Sequence, residues 1–183
     1  EIDSVVQNIH HKRTHLVLLD QEKILYGKGY IVDAIADIKF QISSKSFYQV
    51  NPKQMVKLYQ KAMDLLQVDN DDIIMDTYSG IGTISLLLSQ KAKEVIAIES
   101  NAQAHRDAQQ NKVMNGIKNV TFVHADVTEY IKHYTHHIDG LIMDPTRDGS
   151  TKSFLDSIKV LKPKRIVYIS CEPITQVRDL NWL

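Results

Sequence analysis

The stretch Ile73-Ile-Met-Asp-Thr-Tyr-Ser-Gly-Ile-Gly-Thr83 decides how this chain of 183 residues folds. A short apolar run ends at Asp76, a turn of small residues follows, and an apolar helical pattern begins at Ile84. This pattern is typical of a buried parallel strand that enters a helix through a ligand-binding turn. Gly80 and Gly82 allow a tight turn whose backbone can lie close to a small molecule.

The alternation of strand and helix continues beyond this turn. The pattern predicts strands at 94–99, 120–124, 138–143 and 165–170, and helices from the turn to about 91, then at 102–114, 127–133, 153–161 and from 173. Upstream, Asn51 and Pro52 predict the start of another helix, which continues to Leu66. Together these elements predict an α/β fold with a doubly wound, mostly parallel sheet covered on both faces.

Residues 1–46 have a different pattern. Short β-leaning runs, among them residues 14–19, 23–26, 30–32 and 37–42, are separated by Gly27, Gly29 and charged turn residues. They predict a small N-terminal antiparallel β-element. We therefore place a domain boundary at residue 46 and interpret residues 1–46 as the end of a further, β-rich domain.

The composition is that of an ordinary globular protein, with 43% hydrophobic and 24% charged residues. There is no apolar run of about 18 residues, so no membrane span is predicted, and a cytoplasmic location is the default. The formal net charge is zero, which weighs against a chain that grips nucleic acid without help. The single cysteine excludes an internal disulfide and a multi-cysteine metal site within this chain.

Acidic residues end several of the predicted strands, where a parallel sheet binds its ligands. Glu99 could bind a ribose diol, as in NAD-binding proteins and methyltransferases, and Asp126 could contact an adenine edge. Asp144 and Pro145 form a stiffened turn after the next strand. Each acid can also be a simple turn former or helix cap. Ser85 stands where a dinucleotide fingerprint has its third glycine, which disfavours NAD.

Cys171 directly follows the last predicted strand. A lone cysteine is often a buried small hydrophobic residue, but here a helix starting near Pro173 would favour a thiolate, so a nucleophile is an equal alternative. The histidines form two groups, for which solvated side chains are favoured over a weak metal site: His10, His11 and His15, and His133, His136 and His137. We predict no metal site in this chain.

Taken together, four blocks of the sequence resemble the RNA uracil-5-methyltransferase family. They are Ser46-Phe-Tyr-Gln-Val-Asn51, Asp76-Thr-Tyr-Ser-Gly-Ile-Gly-Thr83, Asp144-Pro-Thr-Arg147, and Ser170-Cys-Glu-Pro173 with the trailing Arg178-Asp179. The resemblance implies a Rossmann-like, S-adenosylmethionine-dependent methyltransferase domain at residues 47–183, preceded by the end of the family's central domain. It also implies methylation of C5 of a uridine in RNA, with 23S rRNA favoured over transfer RNA.

The resemblance also implies roles for individual residues. Cys171 would be the nucleophile that adds to C6 of uracil, and Asp144 would orient the base. The residues expected to hold S-adenosylmethionine are Gln49, Tyr78, Gly80, Gly82, Glu99, Asp126 and Asp144. By the same comparison, the family's general-base glutamate, its last antiparallel strands and its N-terminal RNA-binding barrel would lie outside this chain. The methyltransferase domain is therefore expected to be C-terminally incomplete and to turn over poorly alone.

Three residues depart from the family's pattern. Ser79 replaces a cysteine, Thr146 replaces a second proline, and Glu172 replaces an asparagine beside the nucleophile. The loosened turn at Thr146 and the added charge at Glu172 motivate one alternative, a decayed methyltransferase fold that acts as an RNA-binding scaffold. An NAD-dependent oxidoreductase is the other alternative.

Overall fold

The computed structural model describes residues 2–10, 18 and 21–183. The strands within these residues are β1 (Ser4–Asn8), β2 (Glu22–Gly27), β3 (Tyr30–Ile35), β4 (Ile38–Ser43), β5 (Ile73–Thr77), β6 (Glu94–Glu99), β7 (Val120–His124), β8 (Gly140–Met143) and β9 (Arg165–Tyr168). The helices are α1 (Pro52–Leu66), α2 (Thr83–Leu88), α3 (Ala102–Met114), α4 (Val127–His133), α5 (Lys152–Leu161) and α6 (Pro173–Leu180). None of these helices is long and apolar enough to cross a bilayer.

Five parallel strands form the central sheet in the order β7-β6-β5-β8-β9. The chain moves from β5 outward through β6 and β7 and then returns to the other side of β5 at β8. This change of direction creates a crevice beyond the carboxyl end of β5, where ligands bind in open α/β sheets. The turn after β5 and the loop after β8 both begin at this edge.

The sheet buries both of its faces. On β5, Ile74 belongs to the cluster formed with α1, α2 and α3, whereas Met75 belongs to the cluster formed with α4 and α5. Successive strand residues point to opposite faces, so both positions must be apolar. The predicted α/β class, with a doubly wound parallel sheet, is confirmed.

The N-terminal strands form two antiparallel pairs, β1 with β2 and β3 with β4, which confirms the predicted antiparallel element. Phe40 on β4 is fully buried and lies in the same hydrophobic cluster as Ile74 of the central sheet. β4 therefore contributes to the core of the larger unit. The division of domains at residue 46 stays a prediction, and the predicted run at 14–19 lies outside the described residues except for Leu18.

Several predicted boundaries were wrong by a few residues. The helix α2 ends at Leu88 because the Ser89 hydroxyl donates to the Leu86 carbonyl (2.7 Å) and closes the last turn. β8 starts two residues later than predicted, since the Asp139 carboxylate binds the amide of Ile73 at 2.9 Å. β9 ends at Tyr168. The predicted Asn51 cap and the Pro52 start of α1 are confirmed.

Candidate active site

The turn after β5 is held in an uncommon backbone conformation. Tyr78, Gly80 and Gly82 have φ angles of 64°, 56° and 82°, all in the left-handed region. The amide of Ser79 donates to the carbonyl of Ile98 on β6 at 3.0 Å, and the amide of Gly82 donates to the carbonyl of Ser79 at 2.9 Å. For Tyr78 this conformation costs about 1–2 kcal/mol, and such strain clusters at ligand sites.

The two glycines of the turn face different surroundings. A Cβ at Gly82 would lie 2.5 Å from Cζ of Phe122, so close approach to the core requires glycine there. A Cβ at Gly80 would meet no described atom within 4 Å. The neighbouring Ser79 hydroxyl is buried and has no hydrogen-bond partner among the described residues. The turn therefore leaves free space and a free polar atom at Gly80 and Ser79.

Glu99, at the end of β6, is bonded to this turn. Its Oε2 accepts from the amide of Gly80 at 2.8 Å and its Oε1 accepts from the amide of Asn101 at 2.6 Å. Glu99, Tyr78 and Asp126 line a small cavity of about 40 Å³. A carboxylate has about four acceptor positions, so Glu99 retains capacity for further donors.

Asp126 is one of the acids for which the sequence left two roles open. Its carboxylate accepts from the amide of Glu129 at 3.0 Å and caps the N-terminus of α4. It is exposed and also lines the cavity beside Glu99. The cap is confirmed, and contact with an adenine edge stays a prediction.

Asp76 is a buried carboxyl group at the end of β5, with 1% of its surface exposed. The Ser85 hydroxyl donates to it at 2.5 Å. Burial raises the pKa of Asp76 to about 7, although the Ser85 hydrogen bond opposes this shift. Ser85, which disfavoured a dinucleotide site, thus has a structural role as the partner of Asp76.

A second cavity, of about 50 Å³, joins the turn to the loop after β8. Its lining includes Asp76, Tyr78, Gly80 and Asp144, together with Phe47, Tyr59, Ser79, Ile81, Thr83 and Ile84. Burial raises the pKa of Asp144 to about 6. When both acids are ionised, this cavity carries negative charge and complements a cationic group.

Tyr78 forms the wall between the two cavities, because it lines both. Its ring packs edge-to-face on Phe154 of α5, with centroids 5.8 Å apart. Its hydroxyl lies 3.3 Å from the hydroxyl of Ser150 in the loop between β8 and α5, residues 144–151, which we call the Asp144 loop. Tyr78 therefore connects the turn after β5 to the loop after β8.

Gln49 and Cys171 line neither cavity. Gln49 is half-buried between β4 and α1, in a segment that the Ser46 hydroxyl anchors to Asp107 of α3 at 2.7 Å. Cys171 is exposed in the turn between β9 and α6, which excludes a buried hydrophobic role. The structure thus brings Tyr78 together with the acids, and places Gln49 and Cys171 outside the two cavities.

The turn that carries Cys171 is nevertheless tied to the Asp144 loop. The hydroxyl of Thr175 donates to the carbonyl of Arg147 at 3.0 Å and to that of Glu172 at 3.1 Å. This bifurcated contact joins the loop after β8 to the first turn of α6.

Glu172 and Thr146, which depart from the family's sequence pattern, both have local structural roles. The Glu172 carboxylate accepts from the amide of Ile174 at 3.3 Å and caps α6, where negative charge is favourable. The carbonyl of Thr146 accepts from the amide of Gly149 at 2.9 Å and closes its turn without a second proline. Neither substitution breaks the loop in which it lies.

His136 and His137 both have ordinary partners in the part of the chain that the structure describes. His137 contacts Asp139 at 2.9 Å, and the rings of Tyr134 and His136 meet edge-to-face. No group of three potential metal ligands occurs among the described residues. His11 and His15 lie outside them.

Sequence reasoning missed three residues of the site. In the sequence Tyr59 fits the apolar face of a predicted helix, which gives no indication of a site residue. In the structure it lines the second cavity, and burial and the nearby Asp144 and Asp76 raise the pKa of its hydroxyl above the usual range. Ser150 gave no signal, because its partners are remote in sequence. Phe47 lies in one of the four blocks quoted above, but its exposed position beside a cavity depends on the fold, so no signal in the sequence indicated it.

Comparison with known proteins agrees with this geometry. The family model described as tRNA (Uracil-5-)-methyltransferase matches residues 5–183. An uncharacterized RNA methyltransferase of Oceanobacillus iheyensis is 44% identical over 186 residues, covering 100% of this chain and 40% of the relative. A Bacillus cereus protein of the same description is 43% identical, with the same coverage. The chain therefore spans about 40% of the length of these relatives.

Solved structures show the same architecture. The Pyrococcus abyssi tRNA (uracil-54, C5)-methyltransferase in complex with S-adenosyl-L-homocysteine superposes with a TM-score of 0.85 at 28% identity, covering 100% of this chain and 44% of that one. The M. jannaschii TYW2 in complex with AdoMet has a TM-score of 0.67 at 22% identity, covering 90% and 74%. The second likeness concerns the fold alone.

The buried Asp76 predicts a pH-dependent stability. Its pKa of about 7 in the folded chain exceeds the ordinary value of 3.8, so the folded state binds more protons between these two values. The free energy of unfolding should fall as pH rises from about 4 to about 7, by about 1.4 kcal/mol for each pH unit between the two pKa values. Urea unfolding at several pH values should show a smaller fall for Asp76→Asn. Equal slopes in both proteins would contradict the prediction.

Proposed function

Because this chain belongs to the tRNA (uracil-5-)-methyltransferase family, we propose that it carries the cofactor and nucleophile sites for methylation of C5 of a uridine in RNA. One observation carries the proposal. The Asp144 loop lines a cavity with the turn after β5, and Thr175 ties the same loop to the exposed Cys171 turn. A methyl-donor site and a nucleophile thus adjoin a single loop. The activity is proposed for the whole protein, because the chain spans only 40% of the length of the Oceanobacillus iheyensis relative.

The proposed cofactor is S-adenosylmethionine. The free space at Gly80 and the unpartnered Ser79 hydroxyl fit a ligand that lies against the turn. Glu99 would accept the ribose hydroxyls with its remaining lone pairs, and Asp126 would accept from the adenine. Tyr78, Gly82 and Gln49 complete the proposed set, Tyr78 as the shared wall and Gly82 as the residue that lets the turn approach the core.

The cavity beside Asp76 and Asp144 suits the reacting end of this cofactor. Bound S-adenosylmethionine supplies an electrophilic methyl group on a sulfonium cation and leaves as the neutral thioether S-adenosylhomocysteine. Burial holds the pKa values of Asp76 and Asp144 near 7 and 6. A cation nearby favours the ionised form of both carboxyl groups, which in turn stabilise the cation.

Cys171 is the proposed nucleophile. Its thiolate adds to C6 of the uracil, and the electrons of the C5–C6 double bond move to O4 to form an enolate. C5 is then nucleophilic enough to accept the methyl group. A base that we assign to no residue of this chain removes the C5 proton, the bond from Sγ to C6 breaks, and the double bond and thiolate are restored. Asp144 would orient the uracil ring by accepting a hydrogen bond from its N3–H group.

The alternatives have less support. An oxidoreductase would require a dinucleotide fingerprint, yet Ser85 is committed to Asp76. The scaffold alternative rested on Glu172 and Thr146, and both have ordinary structural roles in intact loops. We propose 23S rRNA as the substrate in preference to transfer RNA, and the cytoplasm as the compartment.

The Gly80 position gives a test of cofactor binding. Gly80→Ala places a methyl group in the space beside the turn, whereas Gly116→Ala is a matched control, since Gly116 also has positive φ and no described atom within 4 Å of its Cβ. Both variants should lose about 1–2 kcal/mol of stability. Calorimetry should show S-adenosylhomocysteine binding weakened about tenfold or more only by Gly80→Ala, as for an overpacked site. Equal affinity in the two variants would refute the placement.

Covalent trapping tests the nucleophile. RNA containing 5-fluorouridine retains fluorine at C5 after methyl transfer, so the adduct with Cys171 cannot be released. With S-adenosylmethionine, the full-length protein should form a denaturation-resistant complex with this RNA, and Cys171→Ala should form none while still binding S-adenosylhomocysteine. Peptide mapping should locate the adduct on Cys171. An adduct of undiminished yield in Cys171→Ala would sink the assignment.

The choice of RNA needs a cellular measurement. Mass mapping of 5-methyluridine in cells that lack the gene should show the modification missing from 23S rRNA and retained in transfer RNA. Re-expression of the full-length protein should restore it, and Cys171→Ala should not. Loss from transfer RNA alone would overturn the choice of substrate but not the chemistry.

A further inference from the structure

We propose that Asp179 is a positioning residue that holds the Asp144 loop and the Cys171 turn in a single register for the reaction. The inference rests on the proposed function, because it concerns the two groups assigned there to the uracil. Asp179 lies on α6, eight residues after Cys171, and 1% of its surface is exposed.

The carboxylate of Asp179 joins three separate segments. Its Oδ2 accepts from the amide of Ser150 at 2.7 Å, at the end of the Asp144 loop. The same oxygen accepts from the hydroxyl of Tyr168 at 2.8 Å, at the end of β9 and three residues before Cys171. Its own backbone belongs to α6. The strand end and the helix that flank Cys171 are thus fixed to the Asp144 loop through one side chain.

We call these contacts of Asp179 with Ser150 and Tyr168 the junction, and Arg178 strengthens it. Its guanidinium donates to Oδ1 of Asp179 at 2.9 Å through Nε and at 2.7 Å through Nη2. Nη2 also donates to the carbonyl of Asp148 at 2.8 Å. A Cβ at Gly149 would lie 2.6 Å from both Arg178 Nη2 and Asp179 Oδ2. The loop therefore lies close against the pair, and the positive φ of Gly149, 74°, also favours glycine there.

The junction extends to the proposed donor site. The Ser150 hydroxyl lies 3.3 Å from the hydroxyl of Tyr78, and the Ser150 amide is bound by Asp179. A shift of Asp179 would therefore move the loop that contacts Tyr78 as well as the turn that carries Cys171. Because a displacement of about 1 Å can cost about 100-fold in rate, this junction can control the reaction without touching the base.

An ionised carboxylate suits this role better than a neutral side chain. Burial would raise the pKa of Asp179, but the hydrogen bonds from Ser150, Tyr168 and Arg178 outweigh it and lower the pKa below its ordinary value. Asn at this position keeps one acceptor oxygen and adds donors that would face other donors. Asp179→Asn therefore keeps the shape of the side chain but loses the hydrogen bonds of one of its two oxygens.

The test compares variants of the full-length protein in 5-fluorouridine trapping at saturating S-adenosylmethionine. Asp179→Asn should slow adduct formation about 100-fold, with the affinity for S-adenosylhomocysteine and the KM for RNA changed by less than about threefold. The matched control is Asp156→Asn. Asp156 is also ion-paired and accepts from Trp182 just after α6 at 3.1 Å, and its hydrogen bonds among the described residues are to Lys152 and Trp182 and not to the Asp144 loop. The control should keep the wild-type rate.

A second variant keeps the test valid if Asp179→Asn does not fold. Tyr168→Phe keeps the ring and removes one hydrogen bond to Asp179, so it should slow adduct formation about three- to tenfold. Its unfolding midpoint should fall only by the small amount expected for one lost hydrogen bond, which leaves the protein folded in the assay. The inference is overturned if folded Asp179→Asn or Tyr168→Phe traps at the wild-type rate, or if Asp156→Asn slows as much as Asp179→Asn. A wild-type protein that forms no Cys171-dependent adduct would overturn the proposed function, and the inference with it.

Discussion

The structure depends on one constraint, the conformation of the turn that follows β5. β5 is the central strand of the sheet, and this turn lies at the carboxyl end of the strand. Tyr78, Gly80 and Gly82 give it left-handed conformations at three of five consecutive residues. Such a turn is unstable alone, and its surroundings hold it from several sides. Glu99 accepts from the backbone amide of Gly80 at 2.8 Å, and the side-chain Nδ2 of Asn111 on α3 donates to the carbonyl of Ile81 at 3.1 Å. The free space at Gly80 exists because these contacts fix the backbone around it.

The N-terminal strands belong to this support. Asp107 on α3 is buried and accepts from the amide of Ser43 at 3.1 Å and the hydroxyl of Ser46 at 2.7 Å. Asn111, one turn later, accepts from the amide of Gln41 at 2.6 Å and also holds Ile81. α3 therefore clamps the end of β4 and the glycine turn together. This arrangement fixes where the segment that contains Gln49 leaves the sheet.

The elements and the edge that carries the site were predictable, because both depend on local patterns and on the geometry of parallel sheets. Apolar runs ending in Asp76, Glu99 and Asp144 place acids at one edge whatever else the chain does. The remaining features depend on pairs far apart in sequence, such as Tyr78 with Ser150, which no periodicity encodes. Local patterns also could not decide whether an acid at a strand end is a cap or lines a cavity, and Asp126 does both.

The charges at this edge suit a donor that changes charge when it reacts. Burial leaves Asp76 and Asp144 with pKa values near 7 and 6, so both are readily ionised by a cation placed beside them. Under the proposed function the donor arrives as a sulfonium and leaves as a neutral thioether. The attraction from the two carboxylates is then present before methyl transfer and absent after it. A permanently ionised, solvated pair would be screened and would discriminate less between the two ligands. Under the proposed function, burial of these acids at the ends of β5 and β8 would thus favour both capture of the donor and release of the product.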